Sequence, residues 1–187
     1  MFFGYRTPLQ NEKYFINLGC SHAAAYEMPI EESYPYLLAK KFKIGYYDYS
    51  YPRTSIEYSE YAFRNNEFND YEFVVWQVTY PWRKHNWEAQ NRNDARAGNI
   101  RDFSLKESFN LYAHLLNTYK NHNIYFLFID LPFIDRYIIE LCKINPKTYP
   151  KNINFLDYGT DVYHGGKKTQ KYISNLLFEF INDDKTN

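Results

Sequence analysis

A chain of 187 residues, 45% hydrophobic and 24% charged, has enough apolar material for one ordinary domain with a real core, and its composition is not that of a disordered protein. Its 22 basic and 22 acidic residues cancel, which removes the positive field that a general nucleic-acid binder uses to displace counterions. The two cysteines, Cys20 and Cys142, make no disulfide framework, and no Cys-x-x-Cys pair suggests structural zinc.

No linker, repeat or low-complexity stretch interrupts the sequence, so residues 1–187 are expected to form a single domain. Aromatic residues make up 21%, so the core should be largely aromatic. No apolar run is long enough to span a bilayer, and residues 1–6 lack the basic-then-apolar order of a signal peptide. The expected setting is therefore cytoplasmic or virion-associated, away from membranes.

In chain order, the apolar run Tyr14–Leu18 reads as a first strand that stops at Gly19-Cys20-Ser21-His22. Residues 31–42 read as a helix with Tyr34, Leu37, Leu38 and Phe42 on one face. Residues 44–49 read as a second strand, and residues 55–65 as a helix capped by Thr54 or Ser55. The β-branched and aromatic run 73–78 predicts a buried central strand. A polar stretch follows over 80–100, then a long helix over 103–120. Residues 124–129 predict another buried strand, ending at Asp130. A short helix over 134–142, a last short strand over 153–156 and an amphipathic helix over 167–181 complete the pattern. Strand and helix alternate about five times, which predicts an α/β fold: a three-layer α/β/α sandwich around a five-stranded parallel sheet. In such a sheet, sites gather at the carboxyl ends of the strands. Ser21, residues 53–55, residues 79–83 and Asp130 all follow predicted strands and so meet at one edge.

Two motifs at opposite ends of the chain suggest chemistry for that edge. Ser21 sits on a turn after the first strand, where backbone N–H groups can face a developing oxyanion. Serine needs a base, and His164 is the candidate. Asp161, three residues earlier in Asp161-Val162-Tyr163-His164, is placed to orient that imidazole. The alternatives are ordinary ones: a turn serine, a surface histidine and a capping aspartate. Cys20 is expected to be a buried structural thiol. His22, His164 and Asp161 lack metal-ligand spacing, and no phosphate-binding glycine loop is present, so no metal or cofactor is implied. His85, His114 and His122 read as solvated. Arg83, Lys84, Arg92, Arg96 and Arg101, interleaved with Trp82 and Trp87, suit a sugar or an anionic glycan, or stacking on single-stranded nucleic acid.

This constellation resembles the SGNH, or GDSL-like, hydrolase superfamily. Gly19-Cys20-Ser21 matches the Gly-x-Ser nucleophile element after the first strand, and Asp161 with His164 matches the Asp-x-x-His element before the last helix. Residues 31–39 resemble the first helix of phage-encoded members. The resemblance covers almost the whole chain. It implies a flavodoxin-like three-layer fold and hydrolysis of esters, including acetyl groups on sugars, acyl chains on lipids and thioesters. Two elements depart from the pattern. The loop 51–55 holds no glycine, so a backbone N–H of Arg53 or Thr54 would have to serve as oxyanion donor. The segment 77–83 holds no asparagine, so the Thr79 hydroxyl or Arg83 would stand in for its amide. The resemblance thus implies a serine esterase, with an O-acetyl group on a carbohydrate as the leading substrate, Trp82 and Arg83 on the substrate side, and a small-molecule or glycan ester as the substrate partner. The two departures support an alternative: a weakly active or inactive protein that keeps the fold for binding, as a glycan-binding or virion-associated part.

Overall fold

The computed structural model describes residues 5–6, 13–23, 28–52, 54–65, 68, 70–81, 83, 104–160 and 163–186. Its strands are β1 (Tyr5–Arg6), β2 (Tyr14–Leu18), β3 (Gly45–Asp48), β4 (Val74–Val78), β5 (Ile124–Ile129) and β6 (Thr148–Ile153). Its α-helices are α1 (Tyr34–Phe42), α2 (Ile56–Asn65), α3 (Leu105–Thr118), α4 (Ile138–Ile144) and α5 (Lys167–Thr186). The sheet runs β1-β3-β2-β4-β5-β6. Strands β2 to β6 pair in parallel, which is the expected five-stranded sheet. The two-residue β1 adds an antiparallel edge beside β3.

The layers follow from alternation along the strands. Ile16, Leu18, Val74, Trp76, Val78, Ile124, Phe126 and Phe128 point to one face, where Ile56 and Ala62 of α2, Tyr112, Leu115 and Leu116 of α3, and Ile138 and Leu141 of α4 cover them. Phe15, Tyr46, Val75, Tyr125, Leu127 and Ile129 point to the other, under Tyr34, Leu38 and Ala39 of α1 and Ile173, Leu177 and Ile181 of α5. Every residue of β4 and β5 is buried, as strands covered on both faces require. The aromatic expectation holds: Phe15 stacks on Phe73 at 5.0 Å, and Tyr112 meets Phe128 edge-on at 5.2 Å.

Local signals set the helix starts. Ser55 Oγ accepts the Tyr58 N–H at 3.2 Å, so Ser55 rather than Thr54 caps α2. Ser104 and Glu107 form a reciprocal capping box on α3. The helix expected over 31–42 is divided: Ile30–Glu32 is a 3-10 turn, and Ser33 caps α1 by accepting the Tyr36 N–H. The last strand lies earlier than the expected 153–156. Strand β6 is an edge strand, so it tolerates Pro150 and the exposed Lys151, and its pairing with β5 is irregular between Phe126 and Phe128. Those residues carry no apolar alternation to read. Among the described residues, no helix is long and apolar enough to cross a membrane.

Candidate active site

Strand β2 lies between β3 and β4, the two directions in which the chain winds outward, so its carboxyl end opens at the topological switch point. Gly19 ends the strand with φ +149°, and a Cβ there would lie 2.8 Å from Gln77 Oε1 and 2.9 Å from Ala23 Cβ. The chain then turns, the Ala23 N–H donating to the Cys20 carbonyl at 3.0 Å. Ser21 rides on this turn, 6% exposed. Three neighbours fix it. Gln77 Oε1 accepts the Cys20 N–H at 3.0 Å and its thiol at 3.2 Å. The Tyr51 N–H donates to the Gly19 carbonyl at 3.0 Å, as does the Thr54 hydroxyl at 2.9 Å. Cys20 is fully buried, the structural thiol expected. Among the described residues, no hydrogen bond engages Ser21 itself, including to His164.

A buried polar network supports the turn from below. Asn17 Nδ2 donates to Asp48 Oδ1 at 3.0 Å, with Ser50 Oγ at 3.3 Å and the Ala23 carbonyl at 3.4 Å also in reach. Its Oδ1 accepts the Tyr34 hydroxyl at 2.9 Å. Asp48 also accepts the Ser50 N–H at 3.0 Å and the Ser50 hydroxyl. Burial, and then the Asp48 charge, push the Tyr34 hydroxyl well above its ordinary pKa, which keeps it protonated as a donor. Replacing Asn17 by leucine removes a shared partner of Tyr34, Asp48 and Ser50. The expected cost is about 2–3 kcal/mol, read from urea unfolding.

His164 arrives from the other end of the chain, half-buried, on the segment between β6 and α5. That segment closes on itself: Tyr158 and Gly165 pair across it, the Gly159 N–H donates to the His164 carbonyl at 2.7 Å, and the Gly166 N–H donates to the Asp157 carbonyl at 3.0 Å. Both glycines are required by close contact. A Cβ on Gly165 would lie 2.6 Å from Thr169 Cγ2, and one on Gly166 2.6 Å from the Tyr158 carbonyl oxygen. Asp157 anchors the segment to α5. Its carboxylate accepts the Lys168 N–H at 2.9 Å, the Thr169 N–H at 2.8 Å and the Thr169 hydroxyl at 2.8 Å, satisfying donors that a helix start leaves open. Burial alone would raise the Asp157 carboxyl, but the Lys168 and Thr169 hydrogen bonds and the Lys168 charge hold it below the ordinary carboxylate value. A lowered folded-state pKa means stability that is complete above the unfolded carboxylate range, about pH 4. That stability is lost as pH falls through the folded value. Asp157→Asn should therefore cost about 1 kcal/mol at pH 7, and the gap between its melting curve and the wild-type one should close under acid.

The two segments meet through His22. Its ring, 6% exposed, lies 5.0 Å from the His164 ring and 5.2 Å from Phe155. The topology thus brings the Ser21 turn and His164 side by side. Thr79 and Arg83 stand at the carboxyl end of β4: Arg83 Nη1 donates to Thr79 Oγ1 at 3.2 Å, and the guanidinium lies over the Tyr80 ring at 5.0 Å. Accepting that bond leaves the Thr79 hydroxyl hydrogen to donate elsewhere. Of the two residues expected to offer a backbone oxyanion donor, Arg53 and Thr54, Thr54 is described: its N–H donates to the Tyr51 carbonyl at 3.3 Å, and its hydroxyl donates to the Gly19 and Tyr51 carbonyls, each at 2.9 Å. Asp130 closes β5 with φ 52°, and burial pushes its carboxyl up. Asp161, Arg53 and Trp82 lie outside the described residues, as does most of the expected substrate loop 80–101. His114 and His122 are exposed, as expected, whereas His85 is not among the described residues. Among the described residues, no group of three or more His, Cys, Asp or Glu side chains is placed to hold a metal ion.

This fold has counterparts among solved structures. The esterase EstA from Pseudoalteromonas sp., in a structure inhibited by monoethylphosphonate, matches with TM-score 0.56 at 18% identity, over 93% of this chain and 99% of that one. A protein assigned to the lipolytic G-D-S-L family, from Desulfitobacterium hafniense, matches with TM-score 0.57 at 12% identity, over 91% and 99%. The chain has the SGNH-hydrolase fold. A carbohydrate esterase family 2 enzyme of Corynascus thermopiles (Myceliophthora fergusii), solved with its carbohydrate binding domain, shares this SGNH-like architecture. It matches with TM-score 0.61 at 11% identity, over 94% of this chain and 67% of that one. No protein-family model and no curated protein matches the sequence. Around the candidate site, Gln77 and Asp157 hold segments in a way that the sequence does not signal, and His22, weighed in the sequence only as a metal ligand, packs against His164.

Proposed function

We propose that this protein is a serine esterase of the SGNH type that removes a small acyl group, foremost an O-acetyl group, from a carbohydrate. The observation that carries the reading is the approach of His164 to the Ser21 turn at the switch point of the sheet, with the His22 and His164 rings 5.0 Å apart. Ser21 Oγ attacks the ester carbonyl carbon while His164 takes its proton. The Ser21 N–H and the Thr79 hydroxyl, polarised by Arg83, stabilise the oxyanion. As the C–O bond breaks, His164 returns the proton to the departing alcohol. Water then attacks the acyl-enzyme, its proton passes through His164 to Ser21, and the carboxylic acid leaves. Asp161 would orient His164 throughout. A hydrogen bond between serine and base that closes only when substrate binds is common in unliganded sites. The 6% exposure of Ser21 supports a small acyl group over a long chain.

The engagement of both Thr54 donors, by the Tyr51 and Gly19 carbonyls, favours a second reading, a protein that keeps the fold for binding and turns over little. One experiment separates the two. Purified protein is assayed on acetylated xylo-oligosaccharide and on p-nitrophenyl acetate and octanoate, beside Ser21→Ala. Turnover of the acetyl esters that is lost in Ser21→Ala supports the esterase. Turnover equal in the two proteins refutes the mechanism. Saccharide binding without turnover supports the second reading.

A further inference from the structure

We infer that Gln170 is the positioning residue that holds the nucleophile turn and the base segment in register, an inference that rests on the serine-esterase reading above. Gln170 lies in the first turns of α5 and is 2% exposed. A buried primary amide is costly unless its groups are bonded, and an apolar side chain facing the same core would avoid that cost. Its partners explain its presence. Oε1 accepts the N–H of Tyr34, an open donor at the start of α1, at 2.9 Å. Nε2 donates to the carbonyl of His22 at 3.4 Å and to the carbonyl of Gly165 at 3.4 Å. His22 directly follows Ser21 and Gly165 directly follows His164. One NH2 group therefore bridges the carbonyls of the two residues that directly follow Ser21 and His164, and its own backbone is fixed by donation to the Gly166 carbonyl at 3.0 Å. The carbonyl half of the amide serves the fold, whereas the NH2 half serves the site.

The two halves separate by mutation. Gln170→Glu keeps the side chain's size and the bond from Tyr34 but turns an acceptor toward two carbonyl oxygens. Gln170→Met removes both functions. A displacement of about 1 Å between reacting groups costs on the order of 100-fold. Both variants should therefore react with a fluorophosphonate at Ser21 about 10- to 100-fold more slowly than wild type. Gln170→Glu should also melt lower, because its buried carboxyl faces two carbonyl oxygens, so rates and spectra are compared at a temperature where each variant is fully folded. The NMR cross-peak between the His22 and His164 ring protons, expected in wild type with the ring centroids 5.0 Å apart, should disappear in both. A Gln170→Glu protein that keeps the cross-peak overturns the inference, whatever its rate. Loss of the cross-peak with a phosphonylation rate within threefold of wild type overturns it too. If wild-type Ser21 is not phosphonylated, the esterase reading fails instead. The cross-peak alone then decides: lost in Gln170→Glu it supports the bridge, and retained it refutes it.

Discussion

Replacing His164 by alanine is expected to slow ester turnover by about 10³-fold or more, with the fold intact. Among the described residues, no other histidine is placed as well to take the Ser21 proton. His22 is the neighbour in sequence, but its buried ring packs against Phe155 at 5.2 Å and His164 at 5.0 Å. The backbone around residue 164 is held by atoms that the substitution leaves alone: the Gly159 N–H, the Tyr158–Gly165 pairing and the Asp157 anchor. Stability should accordingly change little. The measurement is kcat/KM on p-nitrophenyl acetate together with a melting curve. A His164→Ala protein within tenfold of wild type would remove the base from the mechanism.

Gly19→Ala should damage both stability and reactivity. The φ of +149° is one that an L side chain rarely adopts, a strain of about 1–3 kcal/mol. The new methyl would also meet Gln77 Cβ at 2.9 Å and Ala23 Cβ at 2.9 Å, so overpacking adds about 1–3 kcal/mol more. The total, about 4 kcal/mol, corresponds to a fall in melting temperature on the order of 10 °C for a chain of this size. Relief requires Gln77 to move, and Gln77 is what holds the Cys20 N–H beside the nucleophile. Phosphonylation of Ser21 should slow more than the fraction unfolded explains. Equal melting temperatures for the two proteins would show that the turn is looser than this geometry requires.

Much of the architecture was legible because burial leaves a period. Strand β2 was read to the residue from Tyr14 to Leu18, α3 and α5 from their apolar residues, and α2 from its capping residues. Strand β6 was misplaced because an edge strand with Pro150 and Lys151 carries no such period. Ser21 and His164 were legible as motifs at strand and helix ends. The residues that hold them were not. Gln170 and Asn17 are buried amides whose partners come from distant segments, so local sequence gives no sign of either. A backbone N–H of Arg53 or Thr54 was read as an oxyanion donor from its place after β3; which way the Thr54 N–H and hydroxyl turn is decided by hydrogen bonds to Gly19 and Tyr51 that the sequence does not show.

The most direct test of the central claim is to map the adduct of a fluorophosphonate on the purified protein by peptide mass spectrometry. An activated serine should give one phosphonyl group, on the peptide carrying Ser21, absent from Ser21→Ala and formed far more slowly in His164→Ala. An adduct at another residue, or ester hydrolysis by a protein whose Ser21 stays unmodified, would contradict the assignment of Ser21 as the nucleophile.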